Sequence, residues 1–144
     1  MDELKCYFKK IHNQLEASFT RALRNYGLTC TQFDVLAYLF YHTESPNTLT
    51  GISSYFGVRH TSVIHVLKIL EKKGMISKCA SADARTKTIS LTQNGQQVVA
   101  KINERCPALD GIVFAKLSET QLHLLEQMLM QILENLESDA FQNF

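Results

Sequence analysis

Hydrophobic and polar positions along the chain change period several times, and each change marks an element. Leu4, Phe8, Ile11, Leu15, Phe19, Ala22 and Tyr26 step by three and four, which places one apolar stripe along a helix ended by Gly27. In "TCTQFDVLAYLFYH", Thr29 precedes Gln32 by three residues, the spacing of a capping box. The apolar run from Phe33 to Tyr41 behind it is nearly continuous and predicts a helix buried on most sides. "TESPN" (43–47) reads as a connection, and "TLTGISSYFG" as a short helix closed by Gly57.

In "VRHTSVIHVLKILEKKG", Val63, Val66, Leu67 and Leu70 fall on one side of a helix. Thr61, His65, Lys68 and Lys72 form an outward polar and basic stripe, and Gly74 is the stop. "MISKCAS" and "TKTISLT" are strands joined by a charged turn, a hairpin. Thr92 can cap a helix through Val98, Val99 and Ile102, and Pro107 marks a break or kink. A last helix begins with Ser118 three residues before Gln121. Its near-heptad stripe of Leu122, Leu125, Leu129, Ile132 and Leu136 is widened by Leu124, Met128 and Leu133.

Helix, short helix, turn, helix and hairpin is the order of a winged helix-turn-helix. The expected fold class is mainly α with a small β-hairpin wing, flanked by N- and C-terminal dimerisation helices. The expected organisation is a single domain over 1–144, with residues 29–92 as the DNA-binding region and 1–27 and 93–144 as the helical dimerisation region.

Charge sharpens this picture. The 144 residues carry a formal net charge of +1, but residues 59–87 hold seven basic side chains against two acidic ones, net +5. Residues 104–144 hold two basic against seven acidic, net −5. The basic middle is expected to face an anion. No apolar stretch approaches bilayer length and "MDELKCYFKKI" is too charged for a signal peptide, so the expected location is the cytoplasm. Cys6, Cys30, Cys79 and Cys106 lie far apart, without metal-ligand spacing, and read as reduced thiols. The five histidines are scattered, and there is no nucleophile motif or glycine-rich phosphate loop. Neither an enzyme, a metal site nor a cofactor is expected.

"LTCTQFDVLAYL", "ISSYFGVRHTSVIHVLKILEKKGMI", "DARTKTISLTQNG" and "LSETQLHLLEQML" resemble, in order, signature segments of the multiple-antibiotic-resistance regulator (MarR) family. The most specific piece is the wing D-x-R-x-K of Asp83, Arg85 and Lys87. The resemblance implies a homodimeric regulator that binds palindromic double-stranded operator DNA and represses nearby genes. It implies that Arg85 enters the minor groove, with Asp83 orienting its guanidinium and Lys87 meeting phosphate. On the recognition helix it points to Arg59, His60, Thr61, Ser62 and His65, with Lys68 on the same outward stripe. Many relatives carry arginine where this chain has His65, a departure that bears on base preference. Small aromatic acids act as effectors of many relatives, and others sense peroxide through an N-terminal cysteine. Cys6, with Lys5, Lys9 and Lys10 nearby to stabilise a thiolate, is the candidate redox sensor. The alternative function is a winged-helix protein–protein interaction module without specific DNA binding.

Overall fold

The computed structural model describes residues 2–81 and 85–138. These form two compact units, one within Met1–Glu104 and one within Arg105–Phe144.

In the first unit, α1 (Asp2–Leu23) gives way to a single 3-10 turn at Arg24–Tyr26. Gly27, at φ +64°, turns the chain out of it, a left-handed conformation that glycine adopts without a Cβ penalty. Thr29 and Gln32 then close the expected capping box and start α2 (Cys30–Tyr41). Phe33, Val35, Leu36 and Leu39 of α2 are buried, whereas Tyr41 is 65% exposed, so the long apolar run has an open end. Thr48 caps α3 (Leu49–Phe56) by accepting the Gly51 N–H at 3.1 Å. Gly57, at φ +61°, makes the tight exit towards α4 (His60–Lys72).

The predicted apolar side of α4 is inside: Val63, Val66, Leu67 and Leu70 are all buried. It packs on α2, on α3 and on β1 (Ile76–Ala80). β1 pairs antiparallel with β2 (Lys87–Leu91), in a register that sets Ile76 opposite Leu91 and Ala80 opposite Lys87. Ile89 also donates its N–H to the Asn47 carbonyl at 2.8 Å, which fastens the loop before α3 to the outer edge of β2. The hairpin therefore has a fixed base. Of the wing tip, Asp83 lies outside the described residues.

Thr92 joins the hairpin to α5 (Gln93–Asn103). Its hydroxyl donates to the Gly74 carbonyl at 2.6 Å and accepts the Gly95 N–H at 3.1 Å, and its own N–H meets the Met75 carbonyl at 3.0 Å. Gly95 is buried, and a Cβ there would collide with that same Met75 carbonyl. Gly95→Ala should therefore destabilise the protein by about 1–3 kcal/mol, the usual cost of overpacking, although alanine is the better helix former. Thermal denaturation checks it, and an unchanged or raised Tm would contradict this packing.

The second unit differs from expectation in one respect. Pro107 does mark a break, but it stands at the start of a further helix, α6 (Cys106–Val113), where proline's missing N–H costs nothing. α7 (Glu119–Glu137) opens with the expected box: Ser118 N–H donates to Gln121 Oε1 at 2.9 Å, and the Gln121 N–H donates to Ser118 Oγ at 3.3 Å. No residue of α7 is buried; Leu124, Met128, Leu129, Met130, Ile132 and Leu133 are exposed. No helix among the described residues is long and apolar enough to cross a membrane.

Candidate nucleic-acid interface

Because one side of α4 is anchored by Val63, Val66, Leu67 and Leu70, the helix must turn its other side outwards. Thr61, Ser62, His65 and Lys68 are all exposed there, with His60 in the first turn and Arg59 just ahead of it. Arg59 holds the N-cap position and is exposed. Gly57 and the short α3 set the entry of this helix, and α2 supports it from behind.

A cleft of about 390 Å³ lies between the start of α4 and the wing. His60 and Ile64 line it from α4, and Lys78, Arg85 and Lys87 from the hairpin. The structure thus brings His60 to one cleft with Arg85 and Lys87 although it lies 25 or more residues before them in sequence. It also adds Thr48 and Thr50 at the start of α3, Ile64 and Lys78, none of which periodicity along the chain could place there. Ser62 belongs to the opposite flank of α4, where a smaller recess of about 220 Å³ is walled by Asp34, Val35, Phe56, Val58, Val63 and Val66. Burial among these apolar groups raises the pKa of Asp34.

The basic residues divide into two sets. Lys78 is held by Glu71 at 2.9 Å, and Lys73 donates to Gly27 and Gln32, so both are used within the fold. Arg59, Lys68, Lys72, Arg85 and Lys87 are exposed and have no ion-pair partner among the described residues. Such cations suit phosphate, and the neighbouring hydroxyls and imidazoles can meet phosphate or base edges. Among the described residues no group of three His, Cys, Asp or Glu is placed to hold a metal.

Of the cysteines, Cys6 and Cys79 are exposed, and Cys30 and Cys106 are half-buried. Lys10 reaches over the Tyr7 ring at 5.9 Å from its centroid. Burial and then the nearby Asp110 carboxylate push the Cys106 thiol up, which disfavours its thiolate.

Fold and surface together define a winged helix-turn-helix DNA-binding regulator. Residues 17–102 match the model of the transcriptional regulator SarA/Rot family, and the chain belongs to that family. It is 29% identical over 126 residues to an uncharacterized HTH-type transcriptional regulator of Bacillus cereus, covering 87% of this chain and 81% of that protein. Its fold is that of S. aureus MepR in complex with DNA, at a TM-score of 0.84 and 23% identity, covering 91% of this chain and 94% of MepR. The MarR regulator of Oenococcus oeni PSU-1 has the same fold at a TM-score of 0.77 and 21% identity, covering 91% and 98%. The winged helix-turn-helix expected from the MarR-type resemblance is the fold this chain shares with these structures.

Proposed function

We propose that the protein is a homodimeric repressor that occupies palindromic promoter DNA. The observation that carries this reading is the exposed basic stripe of Lys68 and Lys72 on α4 with Arg59 just ahead of it, together with the cleft where His60 of α4 meets Arg85 and Lys87 of the wing. In this reading the first two turns of α4 enter the major groove with Arg59, His60, Thr61, Ser62 and His65 at base edges and phosphates. Lys68 and Lys87 neutralise phosphate, and Arg85 occupies the narrow minor groove beside it. Asp83, outside the described residues, would orient Arg85. MepR's capture with DNA supports this docking mode over a winged module that binds only proteins.

The dimer is supported by what α1 and α7 leave open. Leu4, Tyr7, Phe8 and Ile11 on α1 are exposed, as is most of the apolar stripe of α7. Apolar surface of this extent marks an interaction site, and a second copy provides matching helices. The experiment that tests the reading is titration of the purified protein onto the DNA upstream of its own gene across a salt series, beside a scrambled duplex. The expected result is specific, salt-sensitive binding; equal binding to both duplexes would contradict it.

Release from DNA by an oxidant would run through Cys6, which is exposed on α1. In that case Cys6→Ser abolishes peroxide-induced release in the same titration. Release that persists in the mutant ends the assignment of Cys6 as the sensor.

A further inference from the structure

Lys73 follows α4 directly and caps its C-terminal end. Its side chain does not join the outward stripe of Lys68 and Lys72 but returns to the corner between α1 and α2. There Nζ donates to the Gly27 carbonyl and, at 3.1 Å, to Gln32 Oε1. Gly27 ends the turn that follows α1, and Gln32, which is buried, closes the capping box of α2. One ammonium group therefore ties the end of the recognition helix to the exit of α1 and the start of α2. On its other side the same end is held by the Thr92 hydroxyl on Gly74 and by the Glu71–Lys78 pair. Among the described residues, the side-chain hydrogen bonds that reach from this end of α4 to the α1–α2 corner both come from Lys73.

We propose that Lys73 is a positioning residue for DNA recognition: it sets the attitude of α4 against α1, and through α1 the separation of the two recognition helices in the dimer. This rests on the dimeric DNA-binding reading above. Apolar packing between α2 and α4 is non-directional and tolerates small sliding, whereas charge-assisted hydrogen bonds fix direction and distance. A cation also suits the negative end of a helix. The contact matters little for folding itself, because Gly27 is exposed, so water replaces the ammonium there, and the buried Gln32 Oε1 keeps the Thr29 N–H at 3.3 Å. It matters for register: one base pair is about 3.4 Å of rise, so a small tilt of α4, doubled by the two-fold axis, misplaces one half-site.

The test compares wild type, Lys73→Met and Lys73→Arg on the upstream duplex selected by the wild type, with its half-sites moved closer or apart by one and two base pairs. Tm and salt slope are measured alongside. Wild type should show a sharp spacing optimum. Lys73→Met should lose about tenfold at that optimum and bind the other spacings nearly as well, with salt slope and Tm close to wild type. Lys73→Arg should restore the optimum. If Lys73→Met does not fold, Lys73→Gln provides the same comparison. A mutant that keeps the wild-type optimum, at full or uniformly reduced affinity, overturns the positioning role. A wild type that is indifferent to spacing overturns the dimeric reading, and this proposal with it.

Discussion

A double substitution on α7, Leu129→Glu with Leu133→Glu, should convert the protein to a monomer and reduce specific DNA binding by about a hundredfold or more. Both residues are exposed, Leu129 at 38% and Leu133 at 58%, on a helix none of whose residues is buried. Carboxylates there disturb no core, so the single chain should keep its secondary structure. In the dimer the same positions would bury two like charges from each copy, a cost no apolar contact offsets. Specific affinity falls because two half-sites bound by linked domains gain from effective concentration, which separate monomers lose. Sedimentation across a concentration range, with circular dichroism as the folding control, checks the first step, and duplex titration checks the second. A folded mutant that still sediments as a dimer would place the interface elsewhere.

Arg85→Ala should weaken binding to the upstream duplex by about tenfold to a hundredfold, the usual worth of one well-placed groove arginine. Arg85 is exposed at the wing and has no ion-pair partner among the described residues, so its loss leaves the fold unchanged. The deficit should be larger on the specific than on the scrambled duplex, because a minor-groove arginine reads groove width as well as charge. Lys87→Ala differs in kind: a phosphate contact lowers affinity on both duplexes alike and reduces the salt slope by about one per site. Equal losses for Arg85→Ala on the two duplexes would reduce Arg85 to a phosphate contact.

Much of this architecture is legible in the order of residues, for identifiable reasons. Thr29 with Gln32 and Ser118 with Gln121 form the boxes their spacing predicts, since capping is settled within one helical turn. Gly57 is left-handed at the turn before α4, and the buried side of α4 is the one its periodicity names. The hairpin is likewise legible, because alternation in "TISLT" is local.

What the sequence hides is non-local. The cleft between α4 and the wing recruits Thr48, Thr50 and Ile64 only after folding. The +5 of residues 59–87 does not all lie on the outward stripe, because Lys73 turns to Gly27 and Gln32. α6 escaped because Pro107, a reliable sign of interruption, is equally at home in the first turn of a new helix. The stripe of α1 is legible as a pattern, but Leu4, Phe8 and Ile11 are exposed in the single chain, so periodicity alone does not say what covers a face.

A dimer that reads DNA through α4 and the wing fixes the mass of the protein–DNA complex on the upstream duplex, to be measured beside the scrambled one. Two protomers per specific duplex are expected at protein concentrations that leave the scrambled duplex free. One protomer per duplex, or the same occupancy of both duplexes, would contradict it.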